Sequence, residues 1–107
     1  MNPAAEDIMP KRIQRKRTKG WRMPSNTVYV GRGSKWGNPH KVSDYKFESI
    51  DQCRNAARRD WLNDLECGRL SYSKDDIRQE LLGKDIACWC PLDSYCHGDD
   101  ILLIANK

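Results

Sequence analysis

The sequence predicts a small single α/β domain with a short, mostly parallel sheet, crossover helices and a C-terminal helix. Three observations predict it. The chain has 107 residues, enough for one modest core and too few for two. Two short segments, NTVYVG (26–31) and KDIACWC (84–90), are rich in β-branched, aromatic or otherwise buried residue types and read as strands. Residues 32–83 between them carry two helical patterns, and a helical connection of that length joins parallel strands far more readily than antiparallel ones.

Taken in order, residues 1–10 contain two prolines and no periodicity, which predicts a loose leader ahead of a domain over 11–107. RIQRKR (12–17) has Ile13 as its one large apolar residue and fits an edge strand or an exposed arm. NTVYVG is a better strand, and RGSKWGNPH (32–40), rich in glycine and turn formers, must be a loop. Ser49 followed by Gln52 is a capping-box pattern. Behind it Cys53, Ala57, Trp61 and Leu65 recur every fourth residue, with Ile50 and Leu62 beside them, and Gly68 closes the helix. Ser73, with Asp75 and Asp76, opens a shorter helix whose apolar residues are Ile77, Leu81 and Leu82 and whose stop is Gly83. KDIACWC is the next strand. GDDILLIANK (98–107) resumes helical character with Asp99 and Asp100 in its first turn, where carboxylates favour the helix dipole.

Charge is distributed unevenly. Between Ile8 and Ser43 there are ten lysines and arginines and no acidic residue, so the first half of the chain presents a basic face within a net charge of +4. Such a potential concentrates anionic ligands, which points to a phosphate-bearing small molecule or a nucleic acid, although a solvated basic arm has the same composition. No run of about 18 apolar residues is present, so a membrane partner is not expected. The first residues lack the apolar stretch of a secretory signal, and the expected address is the cytoplasm. In a reducing compartment five cysteines, an odd number, leave metal binding, reactivity or plain burial rather than a disulfide framework.

Parallel strands place their carboxyl ends on one edge, so the loop after Gly31 and the loop after Cys90 are expected side by side, where open α/β sheets bind ligands. In the first loop Gly33 permits close backbone approach, Arg32 and Lys35 supply charge, Ser34 and Asn38 supply hydrogen bonds, and Trp36 is a stacking surface or a core residue. In the second, CWCPLDSYCH places Cys88, Cys90, Cys96 and His97 within ten residues. Those four side chains form a candidate zinc set, with Cys53, Cys67 or His40 able to replace a badly aimed ligand. The competing assignment makes Cys96, at the start of a helix, a thiolate of lowered pKa, with His97 and Asp99 as its partners in chemistry. Inert burial of the cysteines is the third.

TKGWRMPSNTVYVGRGSKWGNPH together with LLGKDIACWCPLDSYCHGDDILLIAN resembles a bacterial and bacteriophage family known as domain of unknown function 4326. Its members share a strand ending in V-G-R, an S-K-W-G-N-P loop and a late C-W-C…C-H-x-D segment, and the likeness runs over roughly residues 11–106. A fainter likeness is to domain of unknown function 488, in a strand and cysteine followed by Cys-His opening a helix. Neither implies an activity. The residues themselves lead to a phosphate-bearing ligand, nucleotide or nucleic acid, with transfer or hydrolysis at a nucleotide as the enzymatic version. A zinc-stabilised nucleic-acid-binding module is the alternative, and an inhibitor of a host protein is a third.

Overall fold

A computed structural model describes residues 10–107, so nine of the ten residues assigned to the leader lie outside the described part. Three strands, β1 (Arg12–Gln14), β2 (Thr27–Tyr29) and β3 (Asp85–Cys88), form one sheet in the order β1-β3-β2. Both pairings are parallel, with Arg12 opposite Ile86 and Val28 opposite Ile86 from the other side. The sheet is thus wholly parallel, and RIQ is its edge strand rather than an arm.

Three helices follow the predicted order: α1 (Ile50–Glu66), α2 (Lys74–Leu81) and α3 (His97–Ala105). α1 and α2 both start at complete capping boxes, Ser49 with Gln52 and Ser73 with Asp76, in which each partner satisfies the other's otherwise orphaned amide. α1 buries Cys53, Ala57, Trp61 and Leu65, the stripe that a 3.6-residue period requires. α2 buries Ile77 and Leu81 but ends there, so Leu82 lies outside the helix and is exposed. Gly83 follows with a positive φ, and its amide donates to Asn106 Oδ1 just past α3.

The core gathers Val30, Ile86, Trp61, Leu65, Ile77, Leu81 and Ile101 between the sheet and the helices. Its polar atoms are paired: Trp61 Nε1 donates to Tyr72 Oη at 2.9 Å, and that hydroxyl donates to the carbonyl of Trp36 at 3.3 Å. Trp36 itself is buried, its ring edge-on to Tyr72 with centroids 4.7 Å apart. Packing of the first loop therefore belongs to the core and fixes where the sheet's carboxyl edge ends.

Candidate functional site

All three strands run toward one edge, and there the chain after β2 meets the chain after β3. The first segment is a pair of tight turns, with Ser34 N donating to Gly31 O and Gly37 N to Ser34 O, both at 3.1 Å. Gly37 must be glycine, because a Cβ there would lie 2.7 Å from the Gly31 carbonyl oxygen. Asn38 ties the loop to α1 by donating to Ala57 O at 2.9 Å, while its Oδ1 accepts from His40 N.

Two buried side chains, Arg12 and His97, hold the cysteine loop in place. Arg12 leaves β1 with its side chain buried and spreads its guanidinium over residues 88–99. Nη1 reaches Cys88 Sγ at 3.4 Å and Cys90 O at 3.1 Å; Nη2 donates to the carbonyls of Pro91, Leu92 and Ser94 at 3.0–3.1 Å; Nε donates to Asp99 Oδ1 at 2.9 Å. A loop that turns its carbonyls inward needs a donor with a fixed fork, and arginine supplies one. Gly98 leaves room for it, since a Cβ at that position would stand 3.1 Å from Arg12 Cδ. Burial opposes the charge on Arg12, but its bonds to Cys88 and Asp99 more than offset that, and the guanidinium pKa is raised.

His97 links the two loops. Its Nε2 lies 3.1 Å from Val30 O and 2.9 Å from Trp36 O, both pure acceptors, so Nε2 carries the proton and Nδ1 is left as the acceptor, 3.9 Å from Cys96 Sγ. Burial lowers its pKa and keeps the ring neutral.

Cys88 ends β3, Cys90 lies in the bend beyond it, and Cys96 is the N-cap of α3, yet their three sulfurs lie within 4.8 Å of one another. Cys88 Sγ and Cys96 Sγ are 3.5 Å apart, and Gly98 N donates to Cys96 Sγ at 3.4 Å. Helix position alone predicts the favoured thiolate at Cys96. In the structure the pKa of Cys88 is lowered, foremost by hydrogen bonds from the thiols of Cys90 and Cys96 and then by Arg12. Cys96, donating to that sulfur and buried, is pushed up.

Above the sulfurs opens a pocket of about 430 Å³. Cys88, Cys90, Cys96 and His97 form its floor, and Trp89 and Tyr95 stand in its wall. Four arginines line it, Arg17 and Arg32 from the strand ends and Arg54 and Arg58 from α1, and no carboxylate among the described residues does. Arg54 donates to Ser94 Oγ at 2.9 Å, and Arg58 is held by both oxygens of Asp100 at 3.0 and 3.1 Å. Arg17 lies 4.6 Å from the ring centre of Trp89, and Arg58 5.7 Å from that of Tyr95.

Of the residues expected to bind or react, Arg32, Asn38, Cys88, Cys90, Cys96 and His97 meet in this pocket. Gly33, Ser34, Lys35 and Trp36 do not line it. Ser34 Oγ donates back to Gly31 O, Lys35 pairs with Glu80 at 3.0 Å, and Trp36 is core. Asp99 sits behind the floor as the partner of Arg12. Sequence reasoning missed Arg54 and Arg58, whose i, i+4 spacing beside the Cys53 and Ala57 stripe was the available signal, and it missed Arg12, for which the sequence carried none.

The fold and pocket define a class: a small parallel α/β domain with an arginine-walled, cysteine-floored pocket at the carboxyl edge of its sheet. The model of the domain of unknown function DUF4326 matches residues 13–107, and the chain belongs to that family. No curated protein and no solved structure matches it.

Proposed function

We propose that the protein binds a phosphate-bearing small molecule of nucleotide type in this pocket. The observation that carries the proposal is the convergence of Arg17, Arg32, Arg54 and Arg58 on one concave site without a lining carboxylate among the described residues. Guanidinium groups recognise phosphate oxygens two at a time; Arg54 and Arg58 are already paired with Asp51 and Asp100, so the lining charge not paired among the described residues is that of Arg17 and Arg32. The volume of about 430 Å³ suits a small ligand. Trp89 and Tyr95, partly exposed, offer faces for a base. Transfer or hydrolysis on such a ligand would have the cysteine floor as its chemical partner. A reducing cytoplasm suits three unbridged sulfurs so close together, and no helix among the described residues is long and apolar enough to cross a membrane.

Titration calorimetry with a nucleoside 5′-monophosphate, the matching nucleoside and inorganic phosphate tests the proposal. The monophosphate is expected to bind most tightly, phosphate more weakly and the nucleoside least, with Arg32→Ala and Arg17→Ala each weakening the monophosphate. No saturable binding of any of the three up to millimolar concentration at low salt refutes it. A second version, single-stranded nucleic acid, is favoured by Arg15, whose guanidinium lies 4.7 Å from the ring centres of both Tyr29 and Trp89 and extends the basic, aromatic surface beyond the pocket. It predicts affinity that rises with oligonucleotide length and falls steeply with salt.

A further inference from the structure

We infer that Cys88, Cys90 and Cys96 form a mononuclear metal site of the zinc class, with three thiolate ligands and a fourth position facing the pocket. The sulfurs and the arginines are separate features of the pocket, and the metal site needs only the sulfurs. Zinc held by thiolates at about 2.3 Å in tetrahedral geometry sets its sulfurs about 3.8 Å apart. The three sulfurs here lie within 4.8 Å of one another, and the closest pair, Cys88 and Cys96, is at 3.5 Å, so only small side-chain adjustments separate them from that geometry. A [4Fe–4S] cluster would place each cysteine on a different iron and a [2Fe–2S] cluster no more than two on one, so three sulfurs grouped this tightly fit a single ion.

A bound divalent ion would replace the thiol protons, and two N–H donors stand ready for the sulfurs it leaves. Arg12 Nη1 points at Cys88 Sγ, and the amide of Gly98 points at Cys96 Sγ. Such N–H donors are what anionic ligands require from their neighbours. Three thiolates and a divalent ion carry a net charge of −1, which the buried guanidinium balances. Soft sulfur ligands favour zinc over magnesium, calcium or manganese. All three cysteines line the pocket, so the fourth position opens toward the arginines. His97 is anchored through Nε2 on two carbonyls, and its ring is not among the donors that gather within 4.8 Å of one another, so the three cysteines alone make the set.

The test uses the full chain, prepared metal-free under reducing conditions and titrated with cobalt(II) alone, in buffer without phosphate or nucleotide. Failure of the metal site would then leave the arginine pocket untested, and failure of the pocket would leave the metal untouched. The expected result is one cobalt per chain, with thiolate-to-cobalt charge-transfer bands and tetrahedral visible bands that zinc displaces. Cys90→Ser, at the least buried of the three positions, is expected to weaken binding by at least about 100-fold, since even outer partners of a metal site are worth 10–100-fold. Cys67→Ser, on an exposed cysteine, should bind as the parent does. Circular dichroism of Cys90→Ser establishes that the variant is folded. Imidazole added to the cobalt form should shift the visible bands, because the open position accepts it. No cobalt binding by the folded parent at micromolar concentration, or undiminished binding by folded Cys90→Ser, overturns the site; visible bands indifferent to imidazole overturn the open position.

Discussion

Arg12→Met should be among the most damaging single substitutions in this chain, and its cost can be worked from six contacts. Two of them, to Cys88 Sγ and Ser94 O, are buried; removing the guanidinium leaves Ser94 O without its donor, whereas Cys88 Sγ keeps Cys96 as a partner. At about 1–3 kcal/mol for the one buried carbonyl left unsatisfied and about 0.5 kcal/mol for each of the other five contacts, the loss is roughly 3.5–5.5 kcal/mol. The four contacts to Cys90 O, Pro91 O, Leu92 O and Asp99 Oδ1 are part-buried, and water can replace most of what they lose. Domains of this size are stable by about 5–15 kcal/mol, so a third or more of the total is at stake. Urea unfolding followed by tryptophan fluorescence, with chelator present, reads it: for a slope of about 2 kcal/mol/M the midpoint falls by roughly 2 M. Asp99→Asn is the matched control, because Asp99 is 53% exposed and an exposed pair is worth about 0–1 kcal/mol. Arg12→Lys restores the charge without the fork and should recover only part of the loss. A midpoint for Arg12→Met within about 0.5 M of the parent would refute the reasoning, since it would mean that the loop's carbonyls do not depend on that side chain.

Two further outcomes follow from other parts of the structure. Asp64 accepts from His40 Nε2 at 2.6 Å and from Arg69 at 3.1 Å, and the His40 bond foremost holds its pKa below the ordinary carboxylate range. A carboxylate depressed in the folded state binds fewer protons folded than unfolded, so its contribution is complete above about 3.9, the unfolded value, and is lost as pH falls through the folded value. Asp64→Asn should therefore flatten the acid limb of stability against pH below about 4, and an unchanged acid limb in denaturation at stepped pH contradicts this. Tyr72→Phe removes the acceptor of the buried Trp61 indole N–H and should cost about 1–3 kcal/mol in urea unfolding; a loss under about 0.5 kcal/mol would show that the indole finds another partner.

What could be read from the sequence was whatever is decided locally. Ser49 with Gln52 and Ser73 with Asp76 place helix starts because a cap is a contact between residues three apart. The stripe Cys53, Ala57, Trp61 and Leu65 identifies the buried face of α1 in the same way. Parallel pairing followed from connection length and brought the two loops together before any side chain was placed. The functional roles of individual side chains were less accessible. RIQRKR looked like a weak edge, and nothing in it separates Arg12, which is buried, from Arg15 or Arg17, because the acceptors that justify burying it lie some 76–87 residues later in the chain. Lys35 and Ser34 had the composition of an anion-binding loop, but tight turns use Ser34 and Gly37 internally and α2 captures Lys35. Two of the arginines that line the pocket, Arg54 and Arg58, come from α1, whose polar face says nothing by itself about what it faces.

The order β1-β3-β2 also governs when this protein can come into being during synthesis. The middle strand is the last one made, and among the described residues the two outer strands pair only with it. A nascent chain that has reached Lys84 can form α1 and α2 from local signals, yet it has no sheet, no cysteine floor and no pocket. Every strand pairing then waits on one late segment, a topology of distant contacts that folds slowly compared with helical bundles. A chain divided between Gly83 and Asp85 would yield two pieces, neither with a paired strand of its own, and a signal that depends on β3 sliding between β1 and β2 would report only their reunion.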